Sequence, residues 1–215
     1  MYVIIVKQNQ KRMYDKPKDN DQVEKTISAL KANGMEAILA KDREEVKAKV
    51  LEMIPADASV MTMTSVTLDA LGIAEEINGS GKFKSVRTQF AKMNPNEDAT
   101  KMREMATAPD YTVGSVHAVT KDGKVMIVSN TGSQLPAYAY GAGKVIWVVG
   151  TQKIVKNIDE AFKRIQEYVL PLESDRANKA YNITTGSFIS KELVINREIT
   201  KGRITIIFVP ENIGF

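Results

Sequence analysis

The sequence predicts an α/β fold: a mostly parallel central sheet flanked by helices, with a β-hairpin and a C-terminal strand extension. Three observations carry that expectation. Strand-like and helix-like segments alternate from residue 20 to residue 170, the pattern of successive βα units. Residues 145–149, VIWVV, are apolar without interruption, as in a strand buried on both faces at the centre of a parallel sheet. Asp122 and Gly123 separate two strand-like runs, and that dipeptide favours a tight hairpin turn.

Taken in order, residues 1–6 form a short edge strand, and 1–19 as a whole an N-terminal strand or arm. Val23, Ile27 and Leu30 recur at helical spacing, with Asp21 and Glu24 as a capping pair and Gly34 as the stop. Residues 35–39 make a strand. Asp42 and Glu45 open a second helix carried by Val46, Val50, Met53 and Ile54, which Pro55 closes. Ser59, Val60 and Met61 form the next strand, and residues 62–65 feed one helix bearing Leu68, Leu71 and Ile77. Segment 83–89 reads as a strand and 97–106 as a small helix with Ala99, Met102 and Met105 inward. Residues 111–120 and 124–128 flank the hairpin turn. Asn157 and Glu160 cap a helix bearing Ile158, Ala161, Ile165 and Val169, ended by Pro171. Residues 171–191 read as irregular surface chain, and strands follow at 193–196 and 203–209. One domain over 20–215 is the expected organisation.

Composition narrows the chemistry. Apolar residues make up 43% of the 215, enough for a packed core. The absence of cysteine excludes disulfides, thiolate zinc sites, cysteine nucleophiles and a cysteine-ligated iron–sulfur cluster on this chain. The net charge is +4, but the cations are dispersed. The densest basic segment, Lys7, Lys11, Arg12, Lys16 and Lys18, is interrupted by Asp15 and has no interleaved aromatic residues. It reads as a solvated arm in preference to a nucleic-acid surface. The apolar run 2–6 is too short for a signal-peptide core or a membrane span, so a cytoplasmic location is expected.

Ligands of open α/β sheets gather beyond the carboxyl ends of the strands. Three segments qualify: 62–65, 129–134 and 150–153. They supply the hydroxyls, amides and backbone N–H groups that suit a phosphate or carboxylate, although such residues are also ordinary helix caps. The candidate ligand-binding residues are Thr64, Ser65, Asn130, Thr131, Gly132, Ser133, Gln134 and Lys153. Lys153 follows the apolar strand, and a solvated side chain and an anion partner are equally good readings of it. His117, the one histidine, shares a strand face with Ser115 and Val119 and reads as a satisfied sheet residue. No G-x-S-x-G, Rossmann or P-loop pattern occurs, and a single histidine without cysteine argues against a metal site. No cofactor is implied. Asp122 belongs to the hairpin and Asp159 to a helix start. The methionines are core filling.

Several stretches together resemble the LUD domain, the lactate-utilisation family. HAVTKDGKVMIVSNTGSQLPAYAYGAGKVIWVVG matches its pattern of polar strand, "DG" turn, "TG" loop and apolar strand ending in "VVG". QKIVKNIDEAFKRIQEYVLPLESDRA is similar to the helix that follows, GRITIIFVPENIGF to the closing strand and "GF" ending, and DREEVKAKVLEMIPADASVMTMTSVTL to the N-terminal half. The resemblance spans about residues 20–215 and implies the fold group of ribose-phosphate isomerases, glucosamine-phosphate deaminases and CoA transferases. It implies association with oxidation of lactate to pyruvate beside separate iron–sulfur oxidoreductase proteins, with this cysteine-free chain as an accessory component. The family's "GGS" loop is here Met61, Thr62, Met63, Thr64 and Ser65, and its "GNR" is Gly132, Ser133 and Gln134, which removes an anion-pairing arginine. Thr184, Thr185, Gly186 and Ser187 stand where some members carry cysteines.

Three functions stay open. The first is an accessory or ligand-binding component of 2-hydroxy-acid oxidation. The second is a stand-alone sugar-phosphate isomerase using Asp110 or Asp122 with Lys153. The third is a regulatory partner-binding module. A CoA transferase needs a nucleophilic glutamate near the strand ends, and none lies between Glu104 and Glu160. A homo-oligomer is compatible with each of them.

Overall fold

The computed structural model describes residues 13–215. The expected strand at 1–6 and Lys7, Lys11 and Arg12 lie outside the described residues. The chain runs α1 (Asn20–Ala32), β1 (Glu36–Leu39), α2 (Arg43–Glu52), β2 (Ser59–Thr62), α3 (Val66–Ala70) and α4 (Ile73–Gly79). It continues through β3 (Lys84–Ser85), α5 (Val86–Phe90), α6 (Ala99–Thr107), β4 (Tyr111–Gly114), β5 (Ala118–Thr120) and β6 (Val125–Ser129). A π-turn at Ala137–Gly141 precedes β7 (Lys144–Gly150), and a 3-10 turn at Thr151–Lys153 precedes β8 (Ile154–Val155). Then come α7 (Ile158–Arg164), a π segment (Ile165–Val169), α8 (Leu170–Tyr181), β9 (Lys191–Ile195) and β10 (Ile204–Val209).

Six strands form the main sheet in the order β1-β10-β7-β4-β2-β3, and every pairing in it is parallel. The apolar strand β7 sits inside it, paired with β10 on one side and β4 on the other. Alternate side chains of β7 feed opposite cores, as strand periodicity requires. Val145, Trp147 and Val149 enter the cluster with Val23, Ile27 and Phe208, whereas Ile146 and Val148 enter the one with Val46, Val50 and Leu68. The second sheet has the order β8-β5-β6-β9: the β5–β6 hairpin is antiparallel, β9 pairs antiparallel with β6, and β8 pairs parallel with β5. Val119, Val125 and Ile127 of this sheet share the first core cluster with strands of the main one.

Capping explains several element starts. Asp42 and Glu45 open α2 as expected from the sequence: Asp42 accepts from the Glu45 N–H at 2.9 Å, and the Glu45 carboxylate accepts from the N–H of Lys41, the residue before the cap, at 2.7 Å. Asn157 likewise accepts from the Glu160 N–H at 3.0 Å. Helix α1 begins two residues earlier than expected: Asp19, not Asp21, is the cap, accepting from the Gln22 N–H at 2.9 Å. Gly34 ends the turn after α1 at φ +81, and a side chain there would run into the Glu198 carbonyl.

Four expectations are corrected. Segment 83–89 is a two-residue strand followed by α5, because the Ser85 hydroxyl caps the Thr88 N–H at 3.1 Å and starts a helix where the composition reads as strand. The single helix expected after residue 65 is two, broken at Gly72 in the left-handed region at φ +61. Strand 111–120 is β4 and β5 in different sheets, joined by Ser115, Val116 and His117. Pro171 does not end its helix. The wider π segment Ile165–Val169 resets the hydrogen-bond register, so Pro171 falls in the first turn of α8, where a missing N–H costs little. Helix α6 is amphipathic as expected, but none of its residues is fully buried.

Strand β4 ends in Gly114, against which Tyr138 packs. Tyr138 is fully buried and meets Trp147 edge-on, with ring centroids 5.2 Å apart. A methyl group at Gly114 overlaps the Tyr138 hydroxyl and comes within 3.3 Å of the Met63 Cβ. Gly114→Ala is therefore expected to destabilise the protein by about 1–3 kcal/mol through overpacking, read as a lower midpoint in urea with an unchanged slope.

Candidate functional site

Two neighbouring strands of the main sheet cross into the second sheet side by side. Chain from β4 passes through Ser115, Val116 and His117 into β5, and chain from β7 passes through Thr151, Gln152 and Lys153 into β8. The crossover opens a cavity of about 710 Å3 beyond the carboxyl ends of β2, β4 and β7. That is the place in an open α/β sheet where ligands gather, and the volume suits a small metabolite. Every candidate ligand-binding residue read from the sequence lines it: Thr64, Ser65, Asn130, Thr131, Gly132, Ser133, Gln134 and Lys153.

Lys153 is the most buried of the eight. Its side chain is 1% exposed, and its Nζ donates to the Thr67 hydroxyl at 3.1 Å and the Ser115 hydroxyl at 3.0 Å. The solvated-lysine reading is thereby overturned. Among the described residues no carboxylate lies within ion-pairing distance of it. Burial first, and the Arg164 cation second, hold its ammonium pKa well below the ordinary 10.5. A buried ammonium without a counter-ion is costly, so this position gains stability from any anion that enters the cavity.

Arg164 adds a second buried cation. It donates to the His117 carbonyl at 2.6 Å and lies 5.2 Å from the Tyr168 ring centroid and 5.7 Å from that of Tyr14. Burial lowers its guanidinium pKa to about 10, leaving it charged at neutral pH. Its Nε and second terminal nitrogen find no hydrogen-bond partner among the described residues. Tyr168 in turn hydrogen-bonds Asp15, so the described end of the N-terminal arm is docked on the π segment Ile165–Val169.

Residues 129–134 reach the cavity from the second sheet, since β6 belongs there and not to the parallel sheet. Part of the loop's polarity is internal. The Gly132 N–H is held by the Ser129 hydroxyl at 2.9 Å, the Ser133 N–H by the Thr131 hydroxyl at 3.3 Å, and Gln134 donates to the Val128 carbonyl at 3.2 Å. The loop's contribution to a ligand thus falls to the side chains of Asn130, Thr131 and Ser133. Gly132 has φ +85, and a Cβ there would stand 2.5 Å from the Lys191 Cδ. Ser65 caps the Leu68 N–H, and Thr64 accepts from Arg87 at 3.1 Å.

Four lining groups escaped the sequence. Thr67 and Ser115 are unremarkable until folding brings them to Lys153. Arg87, anchored on the Thr62 carbonyl at 2.8 Å, lies on the helix the composition reads as strand, and burial lowers its pKa. Arg176, bidentate to Glu173 at 2.7 Å, lies on the helix that Pro171 concealed. Two carboxylates considered with Lys153 are elsewhere. Asp110 accepts from the Ser59 N–H and hydroxyl at the start of β4, and Asp122 is in the hairpin turn paired with Lys124 at 3.0 Å. Neither lines the cavity. Among the described residues no group of three or more histidine, cysteine, aspartate or glutamate side chains is placed to hold a metal, and no helix is long and apolar enough to cross a membrane.

His117 also borders the cavity, and its Nδ1 accepts from the Val128 N–H at 3.2 Å. Burial, then the charges of Lys153 and Arg164, lower its pKa from 6.5 to about 3. Between those values the unfolded chain binds a proton that the folded chain refuses, so stability rises with pH across that window and falls as acid is added. The melting temperature is expected to drop as pH is lowered from about 6.5 towards about 3, with a shallower drop in His117→Asn.

The family model described as LUD domain matches residues 23–209. The crystal structure of a DUF162 family protein from Deinococcus radiodurans aligns with a TM-score of 0.53 at 10% identity, covering 88% of this chain and 96% of that one, and shows a shared fold. Ribose 5-phosphate isomerase from Plasmodium falciparum aligns at a TM-score of 0.30 and 14% identity, over 63% of this chain and 54% of its own. A D-ribose-5-phosphate isomerase in complex with phospho-erythronic acid aligns at 0.36 and 13%, over 80% and 96%. No curated protein sequence matches the chain.

Proposed function

The chain belongs to the LUD domain family, and on that premise we propose that its cavity binds a small anionic metabolite, a carboxylate or a phosphate, as an accessory ligand-binding component of lactate (2-hydroxy acid) utilisation. The observation that carries this reading is Lys153, a buried cation at the cavity wall with hydroxyl partners and, among the described residues, no carboxylate partner. An entering anion supplies the missing charge. Arg87 and Arg176 in the same lining make the site cationic overall, with Asp69 and Glu173 as its acidic members. Glu173 is already engaged by Arg176.

The reading treats 20–215 as one ligand-binding domain, which is supported by the core cluster that draws on both sheets. Lactate oxidation releases two electrons, and a chain without cysteine has no thiolate-bound cluster to receive them. The redox step then belongs to an iron–sulfur partner protein, with this chain presenting or sensing the acid. The isomerase reading loses its carboxylates, since Asp110 and Asp122 lie away from Lys153.

A thermal-shift screen against lactate, pyruvate, citrate, inorganic phosphate and sugar phosphates tests the proposal. A ligand that prefers the folded state raises the melting temperature by mass action, by about 2.7 kcal/mol of stability at a hundredfold excess over Kd. The expected outcome is a rise confined to small anions and strongest for short hydroxy or oxo acids. A flat response to every carboxylate and phosphate contradicts it.

A further inference from the structure

A structural lysine buried this deeply is ordinarily neutralised by a carboxylate; Lys153 is held instead by two hydroxyls, on a cavity wall, beside a second buried cation. Ser115 is half-buried and lines the cavity with Thr67 and Lys153, so the amine and its two hydroxyl partners lie together in residues of the cavity wall. A lysine desolvated next to another cation is the arrangement that activates an amine as a nucleophile.

We propose that Lys153 condenses reversibly with the carbonyl of a small aldehyde or ketone bearing a carboxylate or phosphate, forming an imine inside the cavity. This deepens the anion-binding reading above and rests on it, because the anionic group is what brings the carbonyl to the amine. The nitrogen lone pair attacks the carbonyl carbon, and the carbonyl π electrons move to the oxygen, which takes up a proton. The nitrogen then gives up a proton, the hydroxyl leaves as water with a second proton, and the carbon–nitrogen double bond closes. Atoms and electrons balance without an oxidant or reductant. Ser115, 3.0 Å from Nζ, is placed to carry protons between nitrogen and oxygen, and Thr67 at 3.1 Å keeps the amine aimed. His117 is a poor proton donor here, since burial and the two neighbouring cations keep it neutral. The lowered ammonium pKa makes the neutral amine accessible at a pH where an exposed lysine is fully protonated.

Borohydride reduction of the whole protein in the presence of pyruvate, and separately of glycolaldehyde phosphate, tests the step by freezing any imine as a stable amine. Peptide mapping is expected to place the adduct on Lys153 at a rate at least about tenfold above any exposed lysine, and to find it absent from Lys153→Met. The two compounds distinguish a carboxylate-bearing from a phosphate-bearing substrate. Titration calorimetry with lactate and inorganic phosphate, neither of which forms an imine, runs alongside. Binding of these anions with label only on exposed lysines overturns the nucleophile and leaves the anion site standing. No binding and no label at Lys153 overturns both. Because the map is read on the unaltered protein, the outcome does not depend on the variant folding.

Discussion

Lys153→Met is expected to raise the melting temperature of the free protein while removing most of its affinity for small anions. The two effects have one origin. Methionine keeps the length and much of the apolar contact of the lysine stem but removes a charged end that is 1% exposed and, among the described residues, lacks a carboxylate partner. Replacing buried charge by an apolar side chain of similar volume is often stabilising by about 1–4 kcal/mol. Thr67 and Ser115 lose a donor, but hydroxyls rotate, and Thr67 already reaches the Ile213 carbonyl at 3.4 Å. At roughly 2–4 °C per kcal/mol for a chain of this size, the gain is a few degrees. The loss of one buried charge partner for a bound anion is worth about 2–5 kcal/mol, roughly 30-fold to a few thousand-fold in Kd. Stability gained while binding is lost is the trade expected of a functional site. A Lys153→Met variant that melts lower and binds as well as the parent makes Lys153 a structural residue.

The second large effect is in the opposite direction. Arg203→Met is expected to lower the melting temperature by roughly 6–20 °C, from about 3–5 kcal/mol of lost stability. Arg203 is 8% exposed and joins three segments. Its Nε donates to Glu198 at 2.8 Å, one terminal nitrogen to the Ala142 carbonyl at 3.2 Å, and the other to the Tyr138 and Ala139 carbonyls at 2.7 and 3.1 Å. Burial works to raise the Glu198 carboxyl, but the Thr200 N–H and the Arg203 guanidinium outweigh it and hold the pKa below its ordinary range. Methionine leaves that carboxylate and three carbonyls without their partner. The carbonyls belong to the π-turn and the residue after it, which connect loop 129–134 to β7. Chemical denaturation measures the loss, and a change below about 1 kcal/mol assigns the strut to other contacts.

Much of the fold is legible in the sequence wherever a local signal and the tertiary environment agree. The VIWVV run of β7 is buried because both faces of the sheet are covered, and its composition says so directly. Asp122 and Gly123 turn the β5–β6 hairpin, with Gly123 at φ +80. Where signals conflict, the tertiary context wins. Ser85 starts a helix inside a strand-like composition, and Pro171 is absorbed by a π segment whose register no residue pattern announces.

The candidate site divides along the same line. Loops expected at strand ends do converge on one cavity, because an α/β sheet delivers its connections there. Thr67 and Ser115 were illegible because they matter through pairings with Lys153 across 86 and 38 residues, which only the crossing of β4 and β7 into the second sheet creates. Arg87 and Arg176 were hidden with their helices, one behind a strand-like composition and the other behind Pro171.

On the proposed reading, Lys153 is a suppressed cation which an anion restores. Titration calorimetry of pyruvate, or of inorganic phosphate, in buffers of different ionisation heat measures it most directly. An anion beside Nζ raises the lysine pKa, so binding takes up protons at any pH between the free and the bound values. His117 and Arg164 are the other titratable groups facing the amine, and His117→Asn run in parallel removes the histidine's share. Across a pH series running from neutral up towards the ordinary lysine value, the expected result is proton uptake in the parent protein and in His117→Asn, and none in Lys153→Met. Binding without proton exchange at every pH of the series in the parent contradicts the proposal.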